Sequence, residues 1–405
     1  MNRLAATLLA TSVFAAASAH ADSASGFAYY GAVGLKDAST ASYLVSRSAG
    51  FEWATLGDPF THREVVATYP ASAVPADSGY SNSAPVTRLS PDGTRQILFL
   101  PASTYSGSNF LFDLDANGAT AIAAVDASVT GFAATFGANG TPSILLSAGG
   151  SLRLLEGTAT AGGTFTTLAA GPDAGCASAA LALVPDETGF LGLCGDRPLR
   201  LDTAGGIAVG NPLIAPAFAS QAIVASAGVR GAAGSPVFFV VTEVVENGWP
   251  AGSALSIHRI QREASVWTSQ YVADVPLISI NDALSISVAN ENALAIVGET
   301  ADYTSALYLV RADGASWVTE PVGTVDGADR VAAAPSGNRL FTGSLRLRVH
   351  TFENGAWTTR DLGKIGQQDV FYGCSIGALE TLPAAGPVLL GFAALVGASL
   401  LRRRR

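Results

Sequence analysis

Residues 90–100 read SPDGTRQILFL, a turn of Ser90, Pro91, Asp92 and Gly93 running into a short apolar stretch. These are turn formers, each able to adopt the dihedrals a chain reversal needs, and the stretch after them has strand length, not helix length. The same signal recurs along the chain. Ala138-Asn139-Gly140 precedes TPSILLS, Asp186-Glu187-Thr188-Gly189 precedes FLGLC, and Ala232-Ala233-Gly234 precedes SPVFFVV. Asn290-Glu291-Asn292 then leads into ALAIVG and Ser336-Gly337 into NRLFTG. Five intervals span the 244 residues from Gly93 to Gly337, a mean period of 48.8, and four short strands fit that length.

A second series of turns lies about twenty residues further on in most units: LDANG at 114–118, LDTAGG at 201–206, RADGASW at 311–317 and FENGAW at 352–357. Trp53, Trp267, Trp317 and Trp357 follow turns of this kind and read as equivalent positions. Each unit is thus expected to be four antiparallel strands, a to d, with tight turns between a and b and between c and d. That is the blade of an all-β propeller. Units two to seven start near Tyr80, Ser128, Cys176, Ala222, Ile278 and Gly327. The N-terminal stretches FAYYGAVG, ASYLVSR and FEWATLG are read as strands b, c and d, with QQDVFYGCS at 367–375 returning as the missing strand a. The expectation is a seven-bladed β-propeller closed by a C-terminal strand, an overlap that removes open sheet edges.

Of 405 residues, 49% are apolar and 14% charged, which argues for a packed core. Met1 to Ala21 carries one early cation, Arg3, an apolar run from Leu4 to Ala17 and small residues before Asp22, the pattern of a secretory signal peptide over 1–21. The body, 22–379, holds 18 basic and 31 acidic side chains, a net of −13. That balance argues against nucleic acid as a partner and against anionic lipid surfaces. From Leu382 to Leu401 the chain has no charge, and Arg402 to Arg405 follow. Twenty residues of helix span about 30 Å, one bilayer core, so 380–405 reads as a tail with a transmembrane helix and a cytoplasmic Arg cluster.

The Pro motif at Leu382 and Pro383, the short apolar helix and the terminal Arg cluster together resemble a PEP-CTERM sorting tail of the VPLPA type, with Glu380-Thr381 replacing the usual opening Val-Pro. The resemblance covers about 25 residues. It implies a Gram-negative exporter, an exosortase-type processing peptidase as a partner, and a place at the cell surface or in extracellular polysaccharide. The rival is a Gram-positive sortase signal, since 382–386 reads LPAAG, but Ala385 stands where that motif carries Thr. A plain membrane anchor gives the same orientation. The SPDG turn, for its part, resembles those of Tol-type and quinoprotein-like bacterial propellers.

Several motifs invite chemistry and are outweighed by context. Asp113 to Gly118 matches the first half of a calcium loop, but Ala124 stands where the bidentate Glu is needed, and the segment aligns with turns that lack ligands. Gly373-Cys374-Ser375-Ile376-Gly377 has nucleophile-elbow spacing without the strand-to-helix setting. His258 and His350 lie mid-strand two units apart and are read as structural. The a strands are small and apolar, with Arg88, Asp282 and Arg330 as the main polar residues close by. Three Cys and four His suggest no metal cluster, and no cofactor is implied. Cys176 and Cys194 are a disulfide candidate in an exported compartment, their register requiring a bulge; Cys374 is then left over.

Loops between b and c and between d and a share one face, where a ligand site is expected. Asp58 to Ser83 is read as the longest such insertion, carrying His62, Arg63 and Glu64, and Glu243 to Gly252 carries Trp249. Tyr105, Glu299, Asp302 and Tyr303 occupy comparable loops. The proposed ligand contacts are Trp249, Tyr303, Tyr105, Glu299 and His62, because aromatics in polar loops stack on sugars or anchor partners. The reading is a non-catalytic binding or structural module for extracellular polysaccharide or an envelope protein partner. The alternative is a secreted glycan-active lyase or hydrolase with acids and bases on the same loops.

Overall fold

The computed structural model describes residues between 32 and 364, apart from short stretches in the connections, the longest being 69–85, 101–108, 56–62 and 158–164. All of these belong to one compact unit, Gly26–Gly366. Every regular element among them is a strand, and the strands run as successive antiparallel meanders.

The first meander is β1 Ala32–Leu35, β2 Ser42–Arg47, β3 Gly50–Thr55 and β4 Arg63–Thr68. The second is β5 Val86–Leu89, β6 Arg95–Leu100, β7 Asn109–Asp115 and β8 Gly118–Val125. The third is β9 Val129–Phe136, β10 Pro142–Ala148, β11 Ser151–Glu156 and β12 Thr166–Pro172. The fourth, β13 Leu181–Asp186, β14 Gly189–Cys194, β15 Arg197–Asp202 and β16 Gly206–Val209, joins the third in an eight-stranded sheet through a parallel contact of β12 and β16 at Ala170 and Gly206. The fifth is β17 Gln221–Arg230, β18 Pro236–Glu246, β20 Leu255–Glu263 and β21 Val266–Val275, with β19 Trp249–Pro250 folded back on β18. The sixth is β22 Ser279–Val288, β23 Glu291–Glu299, β24 Ser305–Asp313 and β25 Ser316–Thr324. The last is β26 Arg330–Ala333, β27 Arg339–Gly343, β28 Arg346–Glu353 and β29 Ala356–Lys364.

Both turn series fall where the repeat requires them, between first and second strands and between third and fourth. In the SPDG turn, Arg95 N donates to Ser90 Oγ at 3.0 Å and Ser90 N to the Arg95 carbonyl at 2.8 Å, so the Ser side chain helps close the reversal. First strands pack beside first strands: β5 beside β1, then β9, β13, β17, β22 and β26 in turn, with β26 again beside β1. The architecture is all-β and propeller-like, with first strands innermost and fourth strands outermost.

This stacking explains the sequence pattern. A second strand has a sheet packed on each of its faces, so it reads as an unbroken apolar run. β10 is buried along its whole length, while the outermost β21 is exposed or half-buried at every position before the buried Val275. Phe238 and Phe239 show the two faces: both are 0% exposed, yet Phe238 packs with Val184 and Leu193 of the fourth meander and Phe239 with Leu294 and Ile296 of the sixth. Each such ring contributes roughly 2–3 kcal/mol by burial.

The first meander corrects the strand assignment expected there. The end of FAYYGAVG, with Leu35, is β1, an innermost strand, so Ala32–Leu35 already holds the place foreseen for 367–375, and Arg63–Thr68 completes the sheet as β4. The proposed closing strand lies outside the described residues. Trp53 is consequently the fourth residue of a third strand, whereas Trp267, Trp317 and Trp357 are each the second residue of a fourth strand. The equivalence holds for three tryptophans, not four. Among the described residues no helix is long and apolar enough to cross a membrane; 1–21 and 380–405 lie outside them.

Candidate functional site

In an antiparallel meander successive reversals alternate between the two ends of the sheet. Connections from second to third strands, and from a fourth strand to the next meander, therefore leave at one end, called here the b–c end. Tyr303 lies there, between β23 and β24, and is 80% exposed. Its φ of 61° is in the left-handed region, unusual for a residue with a bulky side chain.

The turn that imposes this conformation is closed by its own polar groups. Thr300 N donates to the Thr304 carbonyl and Tyr303 N to the Thr300 carbonyl, both at 2.9 Å. Asp302 Oδ1 accepts from Thr304 Oγ1 at 2.8 Å and from Thr300 Oγ1. These hydroxyl donations hold the Asp302 carboxyl below its ordinary pKa, so it stays a carboxylate. Glu299 sits at the base of the turn as the last residue of β23, opposite Ser279 and Ser305.

Trp249 occupies the equivalent connection of the preceding meander. It is the first residue of β19 and pairs with Glu246 across a turn in which Asn247 has a φ of 54°. Ala251 N donates to the Val244 carbonyl at 2.8 Å, so β19 folds back as a hairpin on the end of β18 before the chain enters β20. Glu243, near its base, has its carboxyl pKa raised by burial. Tyr105 lies outside the described residues, in the connection between β6 and β7.

His62 also lies outside the described residues, directly before β4. Because 63–68 is a fourth strand, the connection from β3 to β4 leaves at the opposite end from those of Trp249 and Tyr303. The insertion Asp58 to Ser83 is thus two connections separated by β4, and Arg63 and Glu64 are strand residues. The β-branched REVVAT was the available signal for this strand.

In the calcium-like segment Asp115 pairs with Gly118 across a two-residue hairpin, and among the described residues no group of three or more His, Cys, Asp or Glu is placed to hold a metal. Asp282 Oδ1 accepts from Ala283 N and its Oδ2 from Val331 N, both at 3.0 Å, tying innermost strands β22 and β26. Cys176 and Cys194 are joined in a disulfide, Cα to Cα 5.6 Å; Cys176 lies in the connection after β12, and the bond runs from there to the end of β14. Cys374 and Ser375 lie outside the described residues.

The two mid-strand histidines differ. His350 is fully buried, its Nε2 2.9 Å from Thr342 Oγ1 and its Nδ1 2.9 Å from Thr359 Oγ1. His258 is half-buried and faces Tyr271, with ring centroids 5.9 Å apart and planes at 77°. Tyr271 and its neighbours Ser256 and Asp274 stand out only once β20 and β21 are paired, because each is an ordinary strand residue in sequence.

No protein-family model matches the chain, and no curated protein matches it in sequence. Solved structures resemble it only at TM-scores below 0.5. AofleA from Arthrobotrys oligospora is 11% identical, with a TM-score of 0.47 over 72% of this chain and 89% of that one. An oligogalacturonate lyase in complex with manganese is 10% identical, with a TM-score of 0.46 over 83% and 89%. A protein from Lactobacillus plantarum is 10% identical, with a TM-score of 0.46 over 71% and 82%. At these values none of the likenesses bears on what the chain binds.

Proposed function

We propose that this chain is an exported, surface-associated, seven-bladed β-propeller that binds extracellular polysaccharide through its b–c end without transforming it. The observation that carries the reading is Tyr303, an exposed aromatic ring held outward by a turn whose polar groups are satisfied within it. A ring presented by a prepared loop loses little freedom on stacking against a sugar, which favours binding. The Asp302 carboxylate beside it accepts hydrogen bonds from ligand hydroxyls. Seven blades are supported by the series of innermost strands from β1 to β26 and its return to β1.

Export and attachment rest on the two ends of the sequence. The signal peptide over 1–21 delivers the body outside, and the apolar run from Leu382 with its Arg cluster holds it in the inner membrane until an exosortase-type peptidase acts near Leu382 and Pro383. The mature protein then resides at the surface of a Gram-negative cell.

One experiment tests both parts. The full chain is produced in a Gram-negative host, the surface-associated protein is recovered, its N-terminus is read, and it is passed over immobilised bacterial polysaccharides while released reducing or unsaturated ends are assayed. The expected result is an N-terminus at Asp22 and retention without product, weakened about tenfold by Tyr303→Ala. Product release replaces the binding reading with the enzyme reading. Absence of retention redirects it to a protein partner.

A further inference from the structure

The seam between the fourth and fifth meanders carries a polar cluster that the Tyr303 loop does not include. Asp196, in the turn after β14, is 7% exposed; its Oδ2 accepts from Leu213 N at 3.0 Å and Ile214 N at 2.9 Å. This fixes the connection from β16 to β17 over the seam, where Leu213 and Ile214 pack with Phe238, Val240 and Ile260. Across from it stand two cross-strand pairs of β20 and β21, Ser256 with Asp274 and His258 with Tyr271. Both lie near the b–c end, where β20 begins and β21 ends.

The pairs are connected. Ser256 Oγ donates to Asp274 Oδ1 at 2.8 Å, and burial, with the neighbouring Asp274 carboxylate, raises the pKa of the Tyr271 phenol. Tyr271 is nevertheless 53% exposed. The Ser256 hydroxyl thus orients the carboxylate, and the Tyr271 ring on the paired strand, packed edge-to-face with His258, is about half open to solvent. Neither ring nitrogen of His258 has a hydrogen-bond partner among the described residues. Burial lowers its pKa against the pull of Asp196 and Asp274, so the ring is neutral at external pH and offers one donor and one acceptor.

We infer that Tyr271, His258 and Asp274 form a second saccharide site, on the outer seam of the fifth meander, that takes an uncharged sugar. The apolar face of the pyranose lies on Tyr271, one hydroxyl bonds a ring nitrogen of His258, and another donates to the remaining lone pairs of Asp274. Asp196, Asp274 and the body's net charge of −13 repel uronates and phosphorylated or sulfated sugars, which sets the specificity. The ligand class rests on the saccharide-binding reading above, but the site is separate from Tyr303 and is tested separately.

The chain has four histidines, so histidine-selective NMR of the full chain gives a short spectrum in which His258→Gln identifies the His258 signal. Methyl glucoside, methyl galactoside and glucuronate serve as probes. The expected result is a saturable shift of His258 with a neutral glycoside, little with glucuronate, and affinity about tenfold weaker in Tyr271→Ala while the His350 signal, which reports folding, stays in place. A His258 signal unmoved by any neutral glycoside, or moved equally in Tyr271→Ala, overturns this inference. It does so even when Tyr303→Ala abolishes retention on polysaccharide, so the two readings fail independently. A shift with glucuronate alone overturns the assignment of ligand class.

Discussion

His350 shows how completely a buried histidine can be built into a fold. Thr342 and Thr359 meet its two nitrogens, and Thr359 Oγ1 also lies 3.5 Å from the Val322 carbonyl of the neighbouring sheet. Desolvation, helped by the positive charge of Arg348, lowers its pKa to about 4. The unfolded chain binds this proton below about pH 6.5 and the folded chain only below about 4. Between those values the unfolded state carries more protons, so stability falls as the pH drops through the window and is fully present above it. The loss from this one ring is of order 3 kcal/mol. Urea unfolding at pH 7 and pH 4 should show it, and His350→Gln should have a flatter profile across the window. An equal slope in the variant would assign the acid sensitivity to other groups. That a histidine lies mid-strand at 350 was legible in the sequence; that two threonines from separate strands reach it was not, because the partners meet only through the register of β27, β28 and β29.

The junction of the third and fourth meanders is an element held by two devices. Its strands are short, β16 only four residues, and β12 runs beside β16 so closely that a Cβ on Gly171 would lie 2.1 Å from the Ile207 carbonyl oxygen. Glycine is required there for approach, with no unusual dihedral involved. The Cys176–Cys194 disulfide closes a link of sequence separation 18 beside it. The double variant Cys176→Ala with Cys194→Ala is expected to lose about 2–4 kcal/mol in denaturant unfolding. An unchanged midpoint would mean that sheet pairing alone holds the junction. Turns and second strands of these meanders were readable because a strand packed on both faces must be apolar throughout. The first meander departs from the expected strand order because its a strand, AVGL, and its d strand, REVVAT, lack the turn signals that mark the others, so only strand pairing separates them.

At the scale of the whole molecule, the cores lie between neighbouring sheets, and β26 packs against β1. The third to sixth meanders cannot then lose a following neighbour without exposing an apolar face. A circular permutant opened in the connection 215–220, with Gly26 and Gly366 joined by a flexible linker, should unfold in one cooperative transition like the native chain. Two separated transitions would show that the first and last meanders do not complete a common structure. Turn residues and apolar runs act locally, and so the repeat, the strand content and the approximate unit boundaries were determined by the sequence alone. The left-handed turn that holds Tyr303, the gathering of Ser256, His258, Tyr271 and Asp274, and the end of the sheet at which the connection before β4 emerges were decided only by tertiary structure. Those properties depend on register and on which strand lies innermost, and both are set by side chains meeting across strands far apart in the chain.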